Sequence, residues 1–108
     1  MGAHLRQMQA RHAVIGDVRG GHGLFAVLEL VRDRSSREPF SPWPQQHGAL
    51  KRLLARALER GVSFAARGNL LLLAPPLIIS ERELDDALAL LDQLLGELGT
   101  TLAAERAA

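Results

Sequence analysis

Two arginines lie beside predicted turns, where a folded chain can present a charged group to a ligand. Arg19 separates a short extended stretch, Val14 to Val18, from a glycine-rich turn. Arg67 lies at the tip of a predicted hairpin, directly before the apolar run at 70–74. The planar fork of a guanidinium matches the geometry of a carboxylate. Taken alone, each arginine is interpreted first as a structural residue and second as a carboxylate-binding candidate.

The glycine-rich turn at 19–23 does not have the form of a nucleotide-binding loop. No Lys-Ser or Lys-Thr pair follows its glycines, as a Walker loop requires. The strand-like run at 24–31 follows instead, so no helix N-terminus is predicted where a phosphate would bind. We interpret the turn as a connection between strands, in which His22 is a minor candidate for contacting a ligand.

The other reactive side chains do not form a catalytic pattern. There is no cysteine, no zinc-binding histidine spacing and no G-x-S-x-G sequence. Glu29 lies inside an apolar strand and needs a partner, which Arg19 or Arg32 can provide. The only lysine, Lys51, lies beside the leucine stripe of a helix and is predicted to be a surface residue.

Composition excludes several classes of protein. The formal net charge is +1, which gives no electrostatic basis for binding nucleic acid or an anionic membrane. No apolar run is long enough to span a membrane, and no signal pattern opens the chain. We expect a single cytoplasmic domain covering residues 1–108, with 47% hydrophobic residues available for a core.

Hydrophobic periodicity predicts three helices and two pairs of strands. The helices are expected at about 3–12, at 46–60 and from a Ser80–Glu83 capping box to Leu98; the strands at 14–18, 24–31, 62–66 and 70–74, with an extension at 77–79. Residues 32–45 are predicted to be a proline-rich loop whose Phe40 and Trp43 fold back onto the body, and 99–108 a frayed tail. The fold class is α+β: a two-layer sandwich with helices packed on a small, mostly antiparallel sheet.

Two blocks of sequence resemble the class III aminotransferases that depend on pyridoxal phosphate. IGDVRGGHGLFAVLELVRD, residues 15–33, is similar to the "GDVRG-x-GL…-ELV" segment of that family. RGNLLLLAPPLIISERELDDALALLDQLL, residues 67–95, is similar to the segment around "PPL" that leads into the last helix. The resemblance covers roughly residues 5–98, although the RGGHGL loop is one residue longer than the common form.

The resemblance implies the C-terminal small domain of a fold type I enzyme. It further implies that a missing large domain carries pyridoxal phosphate and its lysine, and that the intact enzyme is a homodimer which transfers an amino group from an amine or amino acid to a keto acid. Arg67 is the nearest match to an arginine that binds substrate carboxylate, although its spacing to Pro75 differs. By the same resemblance, Leu72 stands at the position that 4-aminobutyrate enzymes use to bind a carboxylate, which argues against that specificity. Arg19 is expected to brace the loop that enters the site.

Two hypotheses therefore stand. In the first, the chain is the C-terminal part of a class III aminotransferase, inactive alone because it lacks the catalytic lysine and the cofactor site. In the second, it is a free-standing α+β module for binding or dimerisation, without catalysis. The first predicts an apolar surface where the large domain packs, and the second predicts a self-contained fold.

Overall fold

The computed structural model describes residues 1–20, 25–41, 47–74 and 80–107. The helices are α1 (Gly2–Arg11), α2 (Gly48–Glu59) and α3 (Glu81–Ala107), and the strands are β1 (Ile15–Gly20), β2 (Ala26–Asp33), β3 (Glu38–Pro39), β4 (Ala65–Arg67) and β5 (Leu70–Leu73). His22, Trp43 and the predicted extension at 77–79 lie outside the described residues. None of the helices in these ranges is long and apolar enough to cross a membrane.

The strands form one sheet in the order β1-β2-β5-β4, with β3 paired to the far end of β2. All of the pairings among the described strands are antiparallel. The side chains of β2 alternate, so that Ala26, Leu28 and Leu30 are buried on one face of the sheet. The predicted α+β sandwich is confirmed.

The core lies between the sheet and the helix layer, on the side of the sheet that we call the inner face. Buried side chains of all three helices join those of β2 and β5 in a single cluster, which includes Leu5, Met8, Leu50, Leu53, Leu91, Leu95, Leu28 and Leu71. The opposite side, the outer face, consists of two rows of cross-strand neighbours. These rows are Asp17, Glu29, Leu70 and Arg67, and then Arg19, Val27, Leu72 and Ala65.

The C-terminus of α1 is held by a side chain from the turn after β2. Arg34 donates to the main-chain carbonyls of Gln9, His12 and Ile15 at 2.6, 3.0 and 3.2 Å. A cation is favourable at this position because the last carbonyls of a helix carry partial negative charge. Arg34 therefore links the second strand to the end of the first helix.

An acidic residue of α3 connects α1 to the helix layer. Asp92 accepts hydrogen bonds from Arg11, at 2.8 Å, and from the ring of His12. Burial raises the pKa of the Asp92 carboxyl, but the hydrogen bonds from His12 and Arg11 outweigh it and the net shift is downward. The ionised carboxylate is therefore the form that the fold stabilises.

The N-terminus of α2 begins at a histidine. The Nδ1 atom of His47 accepts from the amide of Ala49 at 2.9 Å, and Nε2 lies 2.8 Å from Glu105 of α3. Because Nδ1 accepts, the proton of the neutral ring is on Nε2, where it is donated to the carboxylate. Arg32 also pairs with Glu105, at 3.1 Å. A cap that the sequence did not predict therefore joins α2, α3 and β2.

The start of α3 agrees with the sequence. The amide of Ser80 donates to the Glu83 carboxylate at 3.2 Å, and the amide of Glu83 donates to the Ser80 hydroxyl at 3.0 Å, which completes the predicted capping box. The Ser80 hydrogen bonds lower the pKa of Glu83. Six leucines recur at helical spacing along α3: Leu88, Leu91, Leu94, Leu95 and Leu98 are buried, and Leu84 is partly buried against the same cluster.

The predicted frayed tail at 99–108 is wrong. Helix α3 continues through Ala107, and Leu102 is buried in the core cluster one turn beyond Leu98. A helix packed along its length tolerates an interior glycine such as Gly99 at a cost of about 1 kcal/mol. The apolar contact of Leu102 offsets that cost, since a buried leucine contributes roughly 1.5–3 kcal/mol.

The predicted loop at 32–45 is only partly correct. Strand β2 extends into the predicted loop as far as Asp33, and β3 (Glu38–Pro39), which lies inside the loop, pairs with the end of β2. Phe40 folds back and is fully buried, as predicted. Residues 42–46 lie outside the described part of the chain.

Candidate functional site

Arg67 lies at the end of an edge strand and projects from the outer face. It is the last residue of β4, and it pairs across a two-residue turn with Leu70, the first residue of β5. Gly68 has a φ of +59°, which permits so tight a reversal. The hairpin predicted from Arg67-Gly68-Asn69 is therefore confirmed. Among the described residues, no carboxylate or carbonyl pairs with the Arg67 guanidinium.

Asn69 fixes this turn to the rest of the fold. Asn69 is buried, with only 7% of its surface exposed. It accepts from the amide of Ser41 at 2.9 Å and donates to the Ser41 carbonyl at 2.7 Å. Its own carbonyl accepts from the amide of Leu30 at 2.9 Å. These three bonds hold the hairpin tip against β2 and the segment after β3, and thereby set the position of Arg67.

Arg19, the second predicted candidate, is not a free cation. Its Nε atom donates to Asp17 at 3.1 Å and its Nη2 atom donates to Glu29. Bonding to Asp17 and the charge of Glu29 raise the pKa of Arg19. Of the two partners predicted for Glu29, the structure selects Arg19, while Arg32 pairs with Glu105. Arg19 therefore organises charges on the outer face and is separated by two strands from Arg67.

Two concave regions adjoin the outer face. A cavity of about 240 Å³ lies beside the charged cluster and is lined by Arg19, Glu29, Arg37 and Asn69, with apolar neighbours. A larger cleft of about 820 Å³ extends between the hairpin, Phe25 and the start of α3. Its charged lining residues are Arg60, Glu83 and Asp86. Arg37 has a φ of 61° in the turn that precedes β3.

Within the part of the chain that the structure describes, the arrangement can bind an anion. An exposed guanidinium can form paired hydrogen bonds with a carboxylate or a sulfonate. Within the described ranges, no three His, Asp or Glu side chains are grouped so that they could hold a metal ion. The described residues therefore offer several cations for recognition of an acidic group: Arg67 on the outer face, which lines neither concave region, and Arg37 and Arg60, which line one each.

The fold matches a large body of solved aminotransferase structures. The chain superposes on taurine:2-oxoglutarate aminotransferase from Bifidobacterium kashiwanohense, solved in complex with PLP and glutamate, with a TM-score of 0.82 and 28% identity. The superposition covers 93% of this chain but 22% of that one. The architecture is thus that of one part of a fold type I pyridoxal-phosphate enzyme.

Residues 1–95 match the family described as "Aminotransferase class-III". The chain belongs to this family, as the two sequence blocks indicated. It is 39% identical over 103 residues to the taurine–pyruvate aminotransferase of Rhodobacter capsulatus, covering 89% of this chain and 21% of that protein. It is 38% identical over 94 residues to ethanolamine-phosphate phospho-lyase homolog 1 of Caenorhabditis elegans, covering 84% and 19%. The chain therefore spans about a fifth of the length of these relatives.

The single lysine of this chain does not fit the role of holding pyridoxal phosphate. Its only lysine, Lys51, is exposed on α2, in the helix layer, and lines neither of the two concave regions. This position agrees with the surface role predicted for Lys51.

Proposed function

We propose that this chain is the C-terminal small domain of a class III aminotransferase and acts only together with a large domain. The reaction would transfer an amino group from an amine or amino acid to a keto acid. Pyridoxal phosphate, held by the large domain, would supply the electron sink for that chemistry. The proposal is supported by the match over residues 1–95, by the one-fifth share of the relatives, and by the exposed position of the single lysine.

In this proposal, Arg67 binds the acidic group of the substrate. The observation that carries it is that none of the described residues pairs with the guanidinium of Arg67, which lies at the tip of a hairpin fixed by the buried Asn69. Arg19 has a different role, because Asp17 and Glu29 already occupy its donors. It acts as a positioning residue that stiffens the end of β1, where the chain enters the glycine-rich turn.

The neighbours of Arg67 narrow the class of substrate. Leu72, in the position that resembles the carboxylate-binding site of 4-aminobutyrate enzymes, places an apolar side chain on the outer face. Together with Val27 and Leu70, it favours a substrate that has an apolar segment, which contacts these side chains, and an acidic group, which binds Arg67. The complete enzyme is, in this proposal, a cytoplasmic homodimer.

A chimeric enzyme tests the proposal. In the Rhodobacter capsulatus taurine–pyruvate aminotransferase, the segment that matches this chain is replaced by residues 1–108. We expect the chimera to form a product amino acid from pyruvate, whereas the isolated chain shows no turnover. A soluble chimera that binds pyridoxal phosphate but transfers no amino group would contradict the proposal.

The same chimera tests the role of Arg67. Arg67→Ala should raise KM for a donor that carries a carboxylate or sulfonate by roughly tenfold or more, since a charge-assisted bidentate contact is lost. KM for a primary amine of similar size without an acidic group should stay the same. Arg52→Ala, which removes an exposed arginine from α2, is the matched control and should change neither value. Equal changes for both donors would show that Arg67 is structural.

A further inference from the structure

The buried ring of Phe40 lies against the histidine that caps α2. The rings of Phe40 and His47 meet edge to face, with 4.8 Å between their centroids and 65° between their planes. The guanidinium carbon of Arg32 lies over the Phe40 ring, 5.6 Å from its centroid. Phe40 itself is fully buried. Its ring is therefore held in place by an imidazole from the start of α2 and by a cation from β2.

One carboxylate near the end of α3 holds both of these neighbours. Glu105 accepts from Nε2 of His47 at 2.8 Å and from Nη2 of Arg32 at 3.1 Å. Desolvation raises the pKa of Glu105, but the hydrogen bonds from Arg32 and His47 outweigh it and the net shift is downward. The ionised carboxylate therefore fixes Arg32 and His47 relative to each other, with the Phe40 ring in contact with both.

The main chain next to Phe40 connects this cluster to the hairpin tip. Ser41 follows Phe40 directly and exchanges two hydrogen bonds with the side chain of Asn69. Leu30 of β2 is bonded to both segments, since its carbonyl accepts from the amide of Phe40 and its amide donates to the carbonyl of Asn69. Asn69 lies in the turn that carries Arg67. A displacement of the Phe40 ring would therefore move Ser41 and, with it, this turn.

The exposure of these side chains favours a local role for Glu105 over a general contribution to stability. The Glu105 side chain is 38% exposed, and an ion pair at that exposure contributes little to global stability. The Phe40 ring, in contrast, lies in a packed core, where a shift of one side chain is transmitted to its neighbours. Glu105 also lies beyond residues 1–95, which match the family, so the family match does not assign it a role.

We propose that Glu105 is a positioning residue for Arg67. It fixes the Phe40 ring from α3, and the segment that follows the ring fixes the hairpin. The effect on substrate rests on the proposed function, in which Arg67 binds the acidic group, whereas the link from Glu105 to the hairpin does not. The end of a helix in the helix layer thereby influences the affinity for an acidic donor at the outer face.

Hydrogen exchange followed by NMR tests this link in the 108-residue chain without using activity. The reporter is the amide of Ser41, which is protected by its bond to Asn69. Glu105→Ala should make this amide exchange about fivefold faster, because the turn opens locally more often. The amide of Leu91, in the middle of α3, reports global unfolding and should change by less than about twofold.

Two further variants show whether the effect belongs to the contacts of Glu105. Glu105→Gln keeps an oxygen acceptor and should recover most of the protection at Ser41. Glu97→Ala removes another acidic residue of α3, 44% exposed and paired with Arg56, and should leave the Ser41 rate unchanged. The proposal would be overturned by an unchanged Ser41 rate in Glu105→Ala, by equal acceleration at Ser41 and Leu91, or by the same acceleration in Glu97→Ala.

Kinetics of the chimera separate this inference from the proposed function. Glu105→Ala should raise KM for the acidic donor about threefold, with kcat and the KM for the primary amine unchanged. If Arg67→Ala raises KM for the acidic donor but Glu105→Ala does not, the positioning role of Glu105 is refuted and the proposed function stands. If Arg67→Ala leaves that KM unchanged, the substrate role of Arg67 fails, while faster exchange at Ser41 would still support the link from Glu105 to the hairpin.

Discussion

Replacing Asn69 by alanine should destabilise the fold more than any other change at the hairpin tip. The substitution removes two side-chain hydrogen bonds to the main chain of Ser41, of 2.9 and 2.7 Å, at a residue that is 7% exposed. Each such bond contributes about 1 kcal/mol to stability. Its loss inside the protein adds a further cost, because the main-chain amide and carbonyl of Ser41 lose the Asn69 side chain as a partner. The expected loss in free energy of unfolding is about 2–4 kcal/mol, or roughly 10 °C or more in melting temperature.

Urea denaturation followed by circular dichroism measures this loss directly. The midpoint should fall while the slope stays constant, which shows that stability has changed and not the denatured state. Asn69→Asp is a sharper variant, because it keeps the acceptor for the Ser41 amide but loses the donor to the Ser41 carbonyl. It should be about as destabilising as alanine, since it also brings a carboxylate against that carbonyl oxygen.

A matched control separates this effect from the loss of any polar side chain near β4. Ser63→Ala removes an exposed hydroxyl just before the strand and should change stability by less than about 0.5 kcal/mol. If Asn69→Ala also stayed within that range, the bonds to Ser41 would not hold the turn. In the chimera, Asn69→Ala should raise KM for the acidic donor, because Arg67 loses its fixed position.

Three further predictions concern the body of the domain. Gly16→Ala should cost about 1–3 kcal/mol, because an added Cβ would lie 2.5 Å from a methyl group of the buried Val31; thermal unfolding checks it, and a neutral result would contradict this packing. Leu102→Ala should cost about 2 kcal/mol or more and reduce the helical signal, whereas a frayed tail would show no change. Asp92→Asn should lower the free energy of unfolding at pH 7, but the difference in that free energy between the variant and the wild type should shrink below about pH 4. The pKa of Asp92 is lower in the folded chain than in the unfolded chain. The ionised carboxylate therefore contributes stability above the unfolded pKa, and this contribution disappears as pH falls through the folded pKa. An unchanged difference in urea midpoint at pH 3 would refute the last prediction.

Local patterns in the sequence were sufficient where neighbouring residues determine the structure. The Ser80–Glu83 capping box and the leucines of α3 depend on spacings of three and four residues, and both are confirmed. The turn that carries Arg67 was predicted for the same reason, since a glycine and an asparagine between two apolar runs favour a tight hairpin.

Features that depend on residues far apart in the chain could not be predicted in this way. The bonds from Asn69 to Ser41 cross 28 positions, and nothing in either local segment indicates the other. The pairing of β2 with β5 likewise follows from how the whole sheet assembles. The end of α3 could not be predicted for a different reason: Gly99 favours a helix end, whereas Leu102, four residues after Leu98, continues the buried stripe.

The link between α1 and α3 has a consequence for how the chain folds. His12 and Asp92 are separated by 80 positions, and Arg11 and Asp92 by 81. Contacts of such long range close late, because a large loop must be ordered before they form. During synthesis, α1 therefore leaves the ribosome before α3 has been made, and a truncation before residue 92 leaves α1 without its acidic anchor.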